Sequence, residues 1–417
     1  MPDAALSLDA PLLLAQIRAL GAIGSDATGG GRTRIALTDA DQAGRDQLVR
    51  WMRELDLDVR VDRIGNIFGL LGAATPAGDA RPLMMGSHID TVRHAGALDG
   101  CYGVLAGLAV ARAWRQAGVR PPRALVVAAF TNEEGVRYQP DMMGSLVAAG
   151  GLPLQAALDA VGTDGTRLGD ELARIGYAGA MVPGAIRPQE FLELHIEQGP
   201  VLEAEGKAIG VVDRLQGISW QRVTIRGVAN HAGTTPTRLR HDAGYAAAAC
   251  ITFLREQLAG AAPHTTLATT GSLRLEPDVI NVIPRLATFT VDLRDPDAER
   301  RRAAEQRLAD FLAALAAREG VTVETERLAR FEPVVFDAAL CARIEAAAGR
   351  LGLSSMRMTS GAGHDAQMMA RIAPSAMIFV PSRGGISHNP REHTDDAQLV
   401  QGAQLLLAVV SDCLAGA

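Results

Sequence analysis

Four short, unbroken apolar runs constrain this chain more than any other feature: Leu83 to Met85, Leu125 to Phe130, Phe191 to Leu194 and Ala376 to Val380. Runs of this length without polar alternation read as strands buried on both faces, and amphipathic stretches such as Val104 to Trp114 lie between them. The pattern predicts an α/β domain with a mainly parallel sheet covered by helices. Ser219 to Arg330 reads differently. Arg222 to Arg226 alternates, Arg240 to Ala259 reads as a helix, and Thr265 to Leu275 and Leu286 to Leu293 alternate again. Asp297 to Glu319 is helical with Leu308, Phe311, Leu312 and Leu315 on one face, and Val321 to Thr325 closes the series. The order β-α-β-β-α-β is that of a ferredoxin-like unit, and about 110 residues can form a core of their own. The 417 residues therefore read as a discontinuous α/β domain, 1–213 with 331–417, carrying an inserted α+β domain, 214–330.

Charge and composition narrow the partners. A formal charge of -6 offers no basic surface to neutralise phosphates, so nucleic acid is not an expected partner. The first segment carries acidic residues where a signal peptide needs positive ones, and no apolar run reaches the ~18 residues of a membrane span. Cys101, Cys250, Cys341 and Cys413 are scattered, with no CxxC pair, which predicts free thiols in a reducing cytoplasm. DATGGGRTR, from Asp26 to Arg34, is glycine-rich but lacks both the Rossmann and the P-loop spacing.

Acids or histidines follow each apolar run, where open parallel sheets bind ligands, outside the carboxyl ends of their strands. GSHIDTVRHAGALDG holds His88, Asp90 and Asp99; FTNEEG holds Glu133 and Glu134; LELHIEQGP holds His195; PSRGGISHNP holds His388. Alone, a histidine after a strand is more often a hydrogen-bonded structural residue than a ligand, and adjacent glutamates usually form a solvated loop. As a set they match a two-metal site. Imidazole and carboxylate without thiolate suit zinc, manganese, cobalt or nickel, and such a site needs a carboxylate able to bridge two ions. Asp99, in a glycine-flanked turn, fits the bridge. Glu134 can then bind metal while Glu133 serves as general base, and the Asp90 carboxylate can accept the second imidazole N–H of His88 and fix its tautomer.

GSHIDTV, DGCYGVLAGL, TNEEG, ELHIEQGPVLE, NHAGTTP, SGAGHDA and GISHNPREHT, in order from residue 86 to 394, resemble the amidase, hydantoinase and carbamoylase branch of the dinuclear-metal aminoacylase and carboxypeptidase superfamily. The resemblance implies that His88, Asp99 and His195 hold one divalent ion and Asp99, Glu134 and His388 the other. By the same resemblance His231, Asn281 and Arg294 approach the substrate and its developing oxyanion, Gln198 and His364 belong to the substrate shell, and the inserted domain is a lid that also forms a homodimer. Without the resemblance, His231 reads as a turn histidine, Asn281 as a loop cap and Arg294 as a surface ion pair. His94, His241, His264 and His393 match no metal position.

The activity implied is cleavage of the carbamoyl group from N-carbamoyl-L-amino acids, small ureido substrates with a free carboxylate. Allantoate amidohydrolase and β-ureidopropionase share the same residues. A non-catalytic binding protein on this fold has no use for Glu133, which separates it from the enzyme readings.

Overall fold

A computed structural model describes residues 6–26, 29–72, 81–259 and 266–415. His264 lies outside them. The strands are β1 (Asp58–Val61), β2 (Ile67–Leu71), β3 (Leu83–His88), β4 (Leu125–Phe130), β5 (Glu190–Ile196), β6 (Ile209–Leu215), β7 (Gly217–Arg226), β8 (Leu267–Thr269), β9 (Leu273–Glu276), β10 (Leu286–Asp295), β11 (Thr322–Phe331), β12 (Val334–Val335), β13 (Ser355–Ser360) and β14 (Ser375–Val380). The chain divides into two compact units, Met1–Asp213 with Phe336–Ala417, and Arg214–Val335.

The larger sheet runs β1-β2-β4-β3-β5-β14-β6-β12, with β13 also paired to β6. The expectation of a mainly parallel sheet needs correction. The central β4, β3, β5 and β14 run parallel, whereas β1–β2, β2–β4, β14–β6 and β6–β12 pair antiparallel. Short connections such as the turn between β1 and β2 permit only antiparallel neighbours; a parallel pair needs a crossover, here the helix Cys101–Gln116 between β3 and β4. That helix packs on β3, β4 and β5 and beneath the helices Ala10–Ala22 and Asp396–Ala415, so it is buried along nearly its whole length.

The helix Asp396–Ala415 is long and apolar enough to span a membrane by length and composition alone, although Gln and Asp residues interrupt its apolar run. It instead buries Leu399, Ala403, Leu406 and Val410 against the helix Cys101–Gln116 and β14. A helix between a sheet and other helices must be apolar on several faces, and composition alone does not distinguish it from a membrane span. All four cysteines are buried free thiols.

In the smaller unit, the antiparallel sheet runs β11-β7-β10-β8, and β9 also pairs with β10. One expected strand, Thr265 to Leu275, is in fact two short ones, β8 and β9, each laid along a different part of β10. Along β10 the buried positions alternate, with Phe289, Val291 and Leu293 facing Ala246, Cys250, Leu308, Leu312 and Leu315 of the helices Ala243–Phe253 and Ala298–Glu319. Phe253 and Phe311 stack at 4.1 Å where these helices meet.

Candidate metal centre

The carboxyl ends of the parallel strands bring the sequence candidates together. His88 ends β3, Glu133 and Glu134 follow β4, His195 lies near the end of β5, and His388 follows β14. Ligand atoms of His88, Asp99 and His195 lie within 4.8 Å of one another, and so do those of Asp99, Glu134 and His388. Asp99 is common to both groups: its Oδ1 is 3.2 Å from His195 Nε2 and 3.7 Å from His88 Nε2, while its Oδ2 is 3.0 Å from His388 Nε2. Glu134 Oε2 stands 3.5 Å from His388 Nε2, and Glu133 Oε2 stands 3.4 Å from His88 Nε2. Gly100 makes the crowding possible. Its φ is +62°, and a Cβ there would sit 2.4 Å from His88 Nε2.

The tautomers are set by the backbone. His88 Nδ1 lies 3.0 Å from the Asp90 carbonyl and His195 Nδ1 lies 2.8 Å from the Ile196 carbonyl, so each donates its Nδ1 proton outward and aims its Nε2 inward, that of His195 3.0 Å from the Gly100 nitrogen. This corrects the reading of Asp90. Its carboxylate, 3.7 Å from His88 Nδ1, instead accepts the backbone N–H of Glu133 and of Glu134, each at 3.3 Å, and so holds the two glutamates rather than the imidazole. Gln198, at φ +58°, donates from Nε2 to Asp99 Oδ2 at 2.8 Å, touching the bridging carboxylate itself, and its Oε1 is buried without a partner. His364 is buried edge-on to His195, ring centroids 4.6 Å apart, with Nε2 3.0 Å from Ser360 Oγ. It lines one pocket with His88, Asp99, Glu133, Glu134 and His388.

Burial holds His88 down to about 4, whereas for His195 the Asp99 carboxylate and the charge of Glu193 outweigh burial and lift it to about 9. Burial, with Asp365 and Glu134 as neighbouring charges, pushes Glu133 well up; burial and Asp99 do the same to Glu134. Among the described residues, no arginine or lysine pairs with Asp99, Glu133 or Glu134. Although buried, Asp99 is met by imidazoles, which hold it well below the usual carboxylate range, but for Glu133 and Glu134 burial without a matching charge is costly, and a divalent cation supplies one. The donors, imidazole nitrogen and carboxylate oxygen, fit such an ion.

Glu193 and Glu392 escaped the sequence reading. Glu193 joins His195 and His364 in a third close group, accepting from Ser87 Oγ and Ala366 N, both at 2.7 Å. The spacing of 193 and 195 on one strand, hence one face, was the available signal.

In the smaller unit, His231 is exposed and its Nδ1 accepts the N–H of Gly233 at 3.0 Å and of Thr234 at 3.1 Å, which leaves Nε2–H pointing away. The Asn281 carbonyl accepts the Ala232 N–H, so these two loops meet. Arg294 is the penultimate residue of β10. It lies within β10 on the face away from the helices, paired with Asp292 at 2.9 Å. From Leu286, near the His231 and Asn281 loops, to Arg294 the strand rises about 26 Å at about 3.3 Å per residue.

A mixed α/β chain with two imidazole–carboxylate groups sharing one aspartate has the make-up of a metal-dependent hydrolase. Residues 84–412 match the model of peptidase family M20/M25/M40, and the chain belongs to that family. Within it the chain falls in the hydantoinase and carbamoylase branch of amidases. It is 38% identical over 381 residues to the N-carbamoyl-L-amino-acid amidohydrolase of Rhizobium meliloti, covering 91% of each chain. It is 34% identical over 381 residues to the allantoate amidohydrolase of Bacillus subtilis, covering 90% of this chain and 91% of that one. A crystal structure of a hydantoinase/carbamoylase family amidase from Burkholderia multivorans superposes with a TM-score of 0.94 at 39% identity, covering 98% of both chains. The protein is a hydrolase of linear C–N bonds other than peptide bonds.

Proposed function

We propose that the enzyme hydrolyses N-carbamoyl-L-amino acids to the amino acid, ammonia and carbon dioxide. One observation carries this reading: beside the two donor groups joined by Asp99, the same pocket holds an additional glutamate, Glu133, that neither group contains. His88, Asp99 and His195 would hold one divalent ion, and Asp99, Glu134 and His388 the other. Bound there, zinc, manganese, cobalt or nickel would supply Lewis acidity, making water a nucleophile near neutral pH. Glu133 takes the proton of the attacking water and returns it to the leaving amine. His231 donates its Nε2–H to the oxyanion and Asn281 steadies the same group, while Gln198 and His364 shape the pocket wall. Arg294 reads the substrate carboxylate through a two-pronged pair, for which it must exchange Asp292.

A substrate of a dozen or so heavy atoms cannot bridge the 26 Å or so of β10 that separate Arg294 from His231 and Asn281. We therefore assign His231 and Asn281 at each site to a second copy, which makes the smaller unit both lid and dimerisation domain. The identity to N-carbamoyl-L-amino-acid amidohydrolases favours carbamoyl amino acids over allantoate and ureidopropionate. Metal-loaded protein assayed against carbamoyl amino acids, their carboxamides, allantoate and ureidopropionate tests the assignment. The carbamoyl acids should turn over fastest, the carboxamides poorly. Carboxamides cleaved as well as acids would remove the carboxylate from the recognition scheme, and allantoate cleaved fastest would replace the substrate.

A further inference from the structure

We propose that Glu392 fixes the direction of one proton, that of the Ser387 hydroxyl, and so keeps the bridging carboxylate of Asp99 open to a cation. The inference rests on the two-ion reading above. Glu392 lies four residues beyond His388 and is buried. Its Oε1 accepts the backbone N–H of Leu98 at 2.8 Å and of Asp99 at 3.3 Å, and its Oε2 lies 3.0 Å from Ser387 Oγ. The carboxylate presses against Gly96, where a Cβ would sit 2.1 Å from Oε1. One side chain thus ties the loop of Asp99 to the loop of His388.

A serine hydroxyl has one proton to give, and Ser387 has two carboxylates within reach: Glu392 Oε2 at 3.0 Å and Asp99 Oδ2 at 3.3 Å. Asp99 Oδ2 already accepts the Gln198 amide at 2.8 Å. A carboxylate oxygen has two lone pairs, so a proton from Ser387 would occupy the second and leave none for an ion on the His388 side. Glu392 is the nearer acceptor, and the two backbone N–H groups on its Oε1 favour the ionised carboxylate, which can only accept. The Ser387 proton therefore turns toward Glu392, and Asp99 Oδ2, 3.0 Å from His388 Nε2, retains a lone pair for the ion shared with Glu134 and His388. Glu392 touches neither substrate nor ion; it is a positioning residue.

Glu392→Gln preserves the shape and reverses this one preference. The N–H groups of Leu98 and Asp99 hold the amide oxygen, so the amide NH2 faces Ser387 and drives its O–H onto Asp99. Calorimetric titration of the metal-free protein with Mn2+ should give two ions for the parent. In Glu392→Gln the first should bind as in the parent and the second at least about tenfold more weakly. Adding Ser387→Ala should recover most of that loss, because no hydroxyl remains to turn, whereas a simple structural strut would not be rescued by deleting a further hydrogen bond. An unchanged second affinity in Glu392→Gln, or a loss that Ser387→Ala does not recover, overturns the proposal. If melting of the metal-free Glu392→Gln shows it unfolded, Ser387→Ala alone decides: a second ion bound as tightly as in the parent or tighter supports the proposal, and a weaker one overturns it. A parent that binds fewer than two ions overturns instead the two-ion reading beneath it.

Discussion

Adjacent glutamates diverge in what they face: Glu134 meets His388 and Asp99, while Glu133 meets His88 across the pocket and feels the like charge of Asp365 and Glu134. Glu133→Gln should therefore keep both ions and lose at least about 100-fold in kcat, the scale of a missing general base. Glu134→Gln should lose metal. Elemental analysis of the two purified variants checks this, and the reverse pattern would exchange their roles. At this scale residue types after apolar runs were readable from the chain, because a strand end followed by His, Asp or Glu is a sequence signal. What each side chain hydrogen-bonds was not. Asp90 offers His88 both a carboxylate and a carbonyl, and only the path of the backbone through the turn decides that the carbonyl is used. Glu392 was hidden for a related reason, since its partners Leu98 and Asp99 lie almost 300 residues away in the chain.

Elements transmit such choices, as the turn between β1 and β2 illustrates. Asp62, buried there, accepts the N–H of Ile64 at 3.1 Å and of Asn66 at 2.9 Å, and the Asn66 amide at 2.9 Å. Asn66 in turn donates to the Gly144 carbonyl and accepts the Thr131 N–H, bracing the loop that carries Glu133. Burial outweighs the hydrogen bonds to Asp62 and raises its carboxyl to about 6, against about 4 in an unfolded chain. The folded state thus holds this proton more tightly, and the stabilisation is complete below about pH 4 and lost as pH rises through about 6. Asp62→Asn cannot titrate, so the stability advantage of the parent over the variant should shrink by about 2 to 3 kcal/mol between pH 4 and 7. Urea unfolding of both proteins across that range measures it, and a constant difference would show that the carboxyl does not titrate anomalously. The continuous apolar runs announced β4, β5 and β14 because strands buried on both faces lack polar alternation. The antiparallel flanks gave no comparable signal: β1, Asp58–Val61, is short and half exposed, and its direction is set by the turn of Asp62 to Asn66.

At the scale of the molecule, the proposed sharing of each active site between two copies has a consequence that no single-chain variant can reveal. Glu133→Gln and His231→Ala should each be inactive, yet after dissociation and random reassociation half the dimers carry one of each. Every such dimer has one site with both Glu133 and His231 intact, so the mixture should regain about a quarter of parental activity. A mixture as inactive as its components would put both residues in one copy, and light scattering near 43.8 kDa would remove the dimer. The order of the larger sheet carries its own history. β14 lies between β5 and β6, although β5 and β6 are near neighbours in the chain and β14 follows only after all of β7 to β13. On the ribosome the strands β7 to β11 can close their own sheet while β5 and β6 still flank an empty slot with bare backbone edges. Such edges recruit other chains. It is the late arrival of Ser375–Val380, rather than any weakness of the finished sheet, that leaves these edges bare in the nascent chain.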